Sequence, residues 1–242
     1  MGETLLHQRQ PLHLALGAAC RLQGLNFSEE GLRSAAKAGA EVLERARLSG
    51  DRFEVSDEGA ITFWAEHNCA VLRRLGLEGP LARQIALAEI DSFWSPTSWE
   101  PAAGVQCLLE ALRGQGLRLA LISNAPSRVR EVLAAHRLTS YFDVLIVSAE
   151  IGCQKPEAQA FSRASAALGL SPGEMVHVGD DWHNDILGAL GAGMKAVWYQ
   201  RGAAPGQVQS VPVVGELLKV LEVLGPVPAA PSGPRAVAAS PE

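Results

Sequence analysis

Residues 176–198 read VHVGDDWHNDILGALGAGMKAVW. Two short apolar runs, Met175–Val178 and Ala196–Tyr199, flank a stretch of helical character from about His183 to Leu190. Continuous apolar strands separated by amphipathic helices belong to parallel sheets covered on both faces. The same alternation extends outward. Upstream lies an apolar run at Leu117–Ile122, then a helix bearing Val129, Val132 and Leu133, a second strand at Val144–Val147, and a helix opened by Pro156 that carries Phe161, Ala164 and Leu168. Val105, Leu108, Leu109 and Leu112 recur at helical spacing before Gly114 and Gly116 end that helix, and Leu217, Leu218, Leu221 and Leu224 predict a closing helix. Residues 94–225 therefore read as an α/β, doubly wound parallel sheet.

Residues 12–93 have a different texture, helices alone. Ser28 is placed to cap a helix with Glu29 and Glu30 in its first turn, and Leu32, Ala35, Ala36, Val42, Leu43 and Ala46 form its stripe up to Ser49-Gly50. Ser56 or Asp57 starts another, with Ile61, Trp64, Ala65, Leu72 and Leu75, and Pro80 opens a fourth with Leu81, Ile85 and Ile90 on one face. An all-α unit joined to an α/β unit is the expected organisation. The tail 226–242, rich in Pro, Ala and Ser, reads as disordered.

Composition narrows the function. With 21 basic and 26 acidic residues the net charge is -5, which gives no general attraction to nucleic acid or an anionic membrane. The cysteines (20, 69, 107 and 153) form no CxxC pair, so the spacing predicts packed thiols rather than a zinc ribbon or a disulfide framework. MGETLLHQRQ at the start does not read as a signal peptide, Leu6 stands where myristoylation needs Ser or Thr, and no apolar run is long enough to span a bilayer. The expected compartment is the cytoplasm.

Ligands of open α/β sheets bind at the carboxyl ends of the strands. There the sequence delivers Ser123-Asn124, then Lys155 from a loop, then Gly179-Asp180-Asp181, with Asp185 one helical turn further. Clustered carboxylates repel one another unless a cation lies among them, and all-oxygen coordination suits Mg²⁺, which leaves room for phosphate oxygens. A hydroxyl and an ammonium meet a phosphoryl group from its other side. The constellation points to a phosphate and Mg²⁺ site.

These motifs resemble those of the haloacid dehalogenase superfamily. LALISNAPSRV (119–129) looks like its second motif, IGCQKPEAQAF (151–161) its third, and VHVGDDWHNDILGALGAGMKAVW its fourth. The resemblance implies that Ser123 and Asn124 hold the phosphate, that Lys155 stabilises charge on nucleophile and phosphate, and that Asp180, Asp181 and Asp185 hold Mg²⁺ directly or through water. It also implies that 12–93 is a cap inserted after the first motif, closing over the site and choosing the substrate, a small phosphorylated metabolite. Residues 1–11 are then the remnant of the first motif loop. In a D-x-G-E-T-L register, Thr4 is the motif Thr, Gly2 stands where a second Asp would act as general acid/base and bind Mg²⁺ through its carbonyl, and the nucleophilic Asp falls just before Met1. The expectation is a natural start further upstream, an absent first strand that belongs between those bearing Ser123 and Asp180, and no turnover by the 242 residues alone.

Rival readings are a catalytically silent binding or regulatory protein on the same fold, which Gly2 favours, and a dehalogenase-like hydrolase, whose members usually lack the Gly-Asp-Asp…Asp pattern. A dinucleotide-binding domain would need the G-x-G-x-x-G that is missing, and a receiver-type phosphoacceptor does not accommodate the helical insertion. Among other residues, His177 reads as a core residue and His183 as a candidate for the mouth of the site. Trp64 is expected in the helical core, Asn68 either faces the site or caps a bend, and Arg128 and Arg130 read as exposed helical residues.

Overall fold

A computed structural model describes residues 2–225. In chain order its elements are β1 (Leu6–Gln8), α1 (Leu12–Leu22), α2 (Glu29–Ser49), α3 (Asp57–Arg74), α4 (Gly79–Phe93), β2 (Trp99–Pro101), α5 (Val105–Gly114), β3 (Ala120–Ser123), α6 (Val129–Ala135), β4 (Val144–Val147), α7 (Ser148–Ile151), α8 (Ala158–Leu168), β5 (Val176–Gly179), a π-helical turn at Trp182–Leu187, α9 (Gly188–Gly191), β6 (Lys195–Tyr199), β7 (Gly206–Val208), β8 (Val211–Val214) and α10 (Lys219–Leu224). The tail 226–242 lies outside the described residues.

The four helices of 12–93 begin and end for local reasons. The Ser28 side chain accepts the Gly31 N–H at 3.1 Å, and Ser56 accepts that of Gly59 at 3.0 Å. Gly50 ends α2 in the left-handed conformation at φ 70, where a Cβ would be strained. Leu16, Cys20, Ala35, Val71, Leu72, Ile85 and Ala86 form the core of this unit. Ile61 and Leu81, expected on the buried stripes, are instead 37% exposed, because each sits one position off the face that meets its neighbours.

In the α/β unit, β3 and β4 pair in parallel with Ser123 opposite Val147, and β5 and β6 pair in parallel with Gly179 opposite Trp198. β8 extends the second sheet in parallel and β7 closes its edge antiparallel, giving the order β5-β6-β8-β7. One core packs α5 and α6 against Leu121, Val147 and Val197; another packs Phe161, Ala164, Ile186 and Ala189 around Ile122, Ile146 and Ala196. Both faces are therefore covered, as expected of a doubly wound sheet.

Three further expectations change. The helix assigned to Pro156 begins at Ala158. The helix after Asp181 starts as a π turn and only its end, Gly188–Gly191, is α. The β7–β8 hairpin was not anticipated, because Pro212 and the exposed 206–208 segment carry no strand pattern.

The sheet is in two pieces. Among the described residues β3 pairs only with β4 and β5 only with β6. A cavity of about 500 Å³ lies between them, lined by Leu108, Leu121, Ile122, Val178, Met194 and Leu217, with Thr4, Lys155 and Asp185 also on its wall. Beside it the first residues turn back, with Glu3 N–H donating to the Leu6 carbonyl at 2.8 Å, before β1 pairs antiparallel with β2.

Candidate active site

Lys155 and Asp185 form the centre. The Lys155 ammonium is 2.5 Å from Asp185 Oδ1, and both side chains are buried. His177, in the middle of β5, places Nε2 2.9 Å from the same oxygen. Asp185 Oδ2 accepts the Asp181 N–H at 3.1 Å. Burial by itself raises the Asp185 carboxyl, but Lys155 and His177 together hold it well below the usual carboxylate range. Burial also lowers His177, so its ring is neutral at pH 7 and Nε2 carries the proton given to the ionised carboxylate. Gly179 is required by this packing: a Cβ there would lie 2.3 Å from the Asp185 carboxyl carbon.

Asn124 fixes the main chain beneath the ammonium. Its Nδ2 donates to the Lys155 carbonyl at 2.9 Å, and its Oδ1 accepts the Lys155 N–H at 2.7 Å. Ser123 is buried at the carboxyl end of β3. The Thr4 hydroxyl donates to Asp180 Oδ1, and Trp198 Nε1 donates to the Asp180 carbonyl at 2.9 Å. Burial pushes the Asp180 carboxyl up, opposed by the Thr4 hydrogen bond. Asp181 Oδ1 accepts the Asn184 N–H at 2.8 Å and so caps the π turn. Gly2 bridges to Leu6 in the turn that carries Thr4.

The loop between α2 and α3 docks onto these strand ends. Glu54 N–H donates to Gln154 Oε1 at 3.1 Å, and the Ser148 hydroxyl donates to the Glu54 carbonyl at 2.5 Å. Arg52 meets Glu157 at 2.9 and 3.0 Å and the Gly152 carbonyl at 2.8 Å. At the end of α2, Arg47 reaches Asp181 Oδ2 at 3.4 Å. Burial pushes the Glu54 carboxyl up to about 7, and Lys155 and Arg47 only partly offset it. Loop and core enclose a cavity of about 600 Å³ lined by Arg47, Glu54, Trp64, Asn124, Glu157 and His183, among others.

Of the residues singled out in sequence, Thr4, Asn124, Lys155, Asp180, Asp181 and Asp185 are joined by these contacts, and His183 lines the cavity. Trp64 both packs against Phe53 and Phe63 and lines the cavity. Asn68 lies elsewhere: it is buried between α3 and α4, donating to Glu89 at 2.7 Å. Arg128 pairs with Asp91 and Arg130 with Glu150. Arg47, Arg52, Glu54 and Gln154 were missed, since charges on a helix end and a loop read as solvated surface until the chain folds back.

Mg²⁺ is tested by the donor chemistry. The described residues hold no cluster of three or more His, Cys, Asp or Glu side chains placed to grip a metal. Asp185 has its oxygens occupied by Lys155, His177 and the Asp181 N–H. Asp180 and Asp181 remain, and two carboxylates completed by water and phosphate oxygens are the usual donor set for Mg²⁺. A half-buried Asp180 carboxylate with one neutral hydroxyl partner also favours a cation.

A parallel α/β core with Ser, Lys and Asp at its strand ends, joined to an all-α unit, defines an α/β protein of the Rossmann-like type. Residues 1–193 match the haloacid dehalogenase-like hydrolases, and the chain belongs to that family. It is 37% identical over 118 residues to the phosphoserine phosphatase of Thermus thermophilus, covering 48% of this chain and 47% of that one. To human N-acylneuraminate-9-phosphatase it is 38% identical over 114 residues, 46% of each. The human haloacid dehalogenase-like hydrolase domain-containing protein 3 is 29% identical over 204 residues, 79% of this chain and 76% of the relative. The chain thus spans about half the length of the two phosphatases in these matches. Among solved structures, the HAD phosphatase from Thermococcus onnurineus matches with a TM-score of 0.63 at 24% identity, covering 93% of this chain and 94% of that one. The 2-haloacid dehalogenase from Pseudomonas syringae pv. Tomato DC3000 does so at 0.60 and 23%, covering 92% and 94%. A phosphatase and a dehalogenase share this fold, so the fold alone does not choose the reaction. No helix among the described residues is long and apolar enough to cross a membrane.

Proposed function

We propose that this chain is the scaffold of a phosphate-ester hydrolase acting on a small phosphorylated metabolite. The observation that carries the reading is the buried Lys155 ammonium, held by Asp185 beside the carboxyl ends of the parallel strands and next to Asp180 and Asp181. A cation so fixed is organised in advance for an anionic group. The relatives named as phosphatases support the same reaction class.

In this reading Lys155 and Ser123 bind phosphoryl oxygens, and Asn124 holds the Lys155 backbone in place. Asp185 anchors the ammonium rather than the substrate. Asp180 and Asp181, with the Gly2 carbonyl, hold Mg²⁺, which when bound offsets charge on the phosphoryl group. The attacking carboxylate needs a place beside Thr4 and Asp180, and an extended segment in the slot between β3 and β5 offers one. Its oxygen forms the new bond to phosphorus as the ester oxygen leaves, and water then hydrolyses the aspartyl-phosphate. Gly2 has no carboxyl to protonate the leaving oxygen, so turnover favours esters whose leaving group needs little help. The cytoplasm remains the compartment this reading assumes.

Phosphate release from a panel of small esters, with and without Mg²⁺, tests the proposal. The 242-residue chain is run beside a form extended upstream by an apolar strand ending in Asp. Turnover by the extended form alone, abolished by Asp181→Asn, is the expected result. An extended form that folds, binds Mg²⁺ and hydrolyses nothing would turn the assignment to a silent binding protein, the reading that Gly2 favours.

A further inference from the structure

An alkyl ester needs a proton for its departing oxygen, and the residues at the strand ends do not offer one. Gly2 has no carboxyl. Asp180 and Asp181 are the donors left for a cation, and Lys155 and His177 hold Asp185 ionised. Glu3, the next acid after Gly2, is exposed and lies 3.5 Å from His7 Nδ1. Glu54, in the loop between α2 and α3, is placed differently. Its main chain is held on both sides, with the N–H donating to Gln154 Oε1 at 3.1 Å and the carbonyl accepting the Ser148 hydroxyl at 2.5 Å. Ser148 follows β4, and Gln154 immediately precedes Lys155. The half-buried side chain lies on the wall of the cavity of about 600 Å³, together with Asn124, Gln154 and Pro156. Lys155 itself lines the neighbouring cavity. Its ammonium is nevertheless the strongest charge acting on the Glu54 carboxyl, ahead of Arg47, with Asp181 opposing both. Among the described residues that carboxyl takes no hydrogen bond and no ion pair. A carboxyl withdrawn from water and given no donor keeps its proton, and burial raises this one to about 7 in spite of the two cations.

We propose that Glu54 is the proton donor of this site, a catalytic acid that the loop between α2 and α3 supplies in place of the carboxyl Gly2 lacks. The proposal rests on the phosphate-ester reading and adds a residue to its chemistry. As the bond from phosphorus to the ester oxygen breaks, its electron pair stays on that oxygen, which takes the Glu54 proton and leaves as an alcohol. The water that then attacks phosphorus gives its hydroxyl to the phosphate and its proton to Glu54, so the carboxyl ends as it began. Gly2 alone would confine the site to esters with good leaving groups. Glu54 lifts that limit and brings alkyl esters within reach. Because the Gln154 and Ser148 bonds fix the loop, proton delivery depends on its docking against the strand ends.

Calorimetric titration of the full 242-residue chain with sulfate, Mg²⁺ present, tests this without any need for turnover. Sulfate stands in for the phosphoryl group and does not itself titrate near neutrality. Buffers of different ionisation heat count the protons that accompany binding. A bound anion favours the neutral carboxyl, so the chain is expected to take up about half a proton or more per sulfate at pH 7.5. Affinity should fall severalfold between about pH 6 and 8.5. His183, on the same cavity wall, belongs to a residue type that changes charge in this range, and Glu54→Gln separates the two. The Glu54 side chain makes no bond that Gln would break, and Gln keeps the shape of the neutral acid. The variant should bind sulfate as the wild type does at low pH, with the uptake gone. Binding without uptake, or uptake that survives Glu54→Gln, would overturn the proposal and leave the phosphoryl site standing. A variant that melts like the wild type yet binds no sulfate at low pH would also overturn it, by giving Glu54 a role in shaping the site. In the extended form, Glu54→Gln should slow release from glycerol 3-phosphate about 10²–10⁴-fold. Release from 4-nitrophenyl phosphate, whose leaving group needs no proton, should fall by no more than about tenfold. Equal slowing of the two esters would remove the donor role. If neither sulfate nor phosphate binds, the phosphate-ester reading itself falls, and the acid with it.

Discussion

Lys155 and Asp185 are each about nineteen parts in twenty buried, at 6% and 4% exposure, so the pair lives or falls together. Removing one member of such a pair leaves an uncompensated charge and is worth about 3–5 kcal/mol. Asp185→Asn should therefore lower urea-measured stability at pH 7 by roughly that amount. The pH dependence has a definite sign. Asp185 is held well below its ordinary 3.8, so its contribution is present above about pH 4 and is lost as pH falls through the folded value. Wild type should show that acid limb in unfolding curves and Asp185→Asn should lack it. Asn124→Ala poses a different question, because its amide touches only the Lys155 backbone. Titration with inorganic phosphate should show weaker binding, together with a loss of about 1–3 kcal/mol in stability as the Lys155 N–H and carbonyl lose their partners. An unchanged affinity would mean that Lys155 is placed by Asp185 alone.

The helical elements carry a second titration. Within the helical unit 12–93, Glu89 is 1% exposed, with Asn68 donating to Oε2 and no hydrogen-bond partner on Oε1. Burial raises its carboxyl from 4.5 to about 7, with the Asn68 bond opposing. A folded value above the unfolded one means that stability falls as pH rises from about 4.5 through about 7. Glu89→Gln keeps the shape, removes the charge, and should flatten that decline, gaining up to about 3 kcal/mol at pH 8 by thermal or urea unfolding. Gly39 makes the complementary point about packing: a Cβ there would stand 2.4 Å from the His67 ring. Gly39→Ala should push α2 from α3 and lose about 1–3 kcal/mol. These elements show what was legible beforehand. Ser28, Ser56, Gly50 and Pro80 mark helix ends through their own backbone chemistry, so they could be read locally. The strand-end residues Ser123, Lys155 and Asp180 could be read because parallel sheets present that end to ligands. Arg47 and Glu54 could not, because their partners lie about a hundred residues away and nothing in their local pattern distinguishes them from a solvated face. Asn68 broke an apolar stripe, which signalled something, but a buried Glu89 across the helix pair was needed to explain it.

At the scale of the whole molecule the divided sheet governs both stability and chemistry. The edges of β3 and β5 face a cavity of about 500 Å³ with Leu121, Ile122, Val178 and Met194 on its wall and Lys155 and Asp185 beside it. Edge backbone groups and apolar side chains without partners favour anything that can supply both. A dye that fluoresces in apolar surroundings should therefore bind the 242-residue chain and be excluded when the slot is filled. An extended form carrying a strand of five apolar residues would bury side chains worth about 1.5–3 kcal/mol each, before the entropy of ordering them is subtracted. With about half of that surviving, a gain near 5 kcal/mol corresponds to an increase of about 10–20 °C in Tm for a chain of this size. Dye exclusion and the rise in Tm should appear together, because one strand removes the apolar surface and pairs both edges. The same strand would place its last residue beside Thr4 and Asp180, which are already joined by a hydrogen bond. Stabilisation and the first appearance of phosphate release should then map to the same extension, and to separable parts of it. Replacing the terminal Asp by Asn should keep the gain in Tm and abolish release. If the extended forms melt where the 242-residue chain does and still bind the dye, the slot does not accept a strand, and the attacking carboxylate must come from elsewhere.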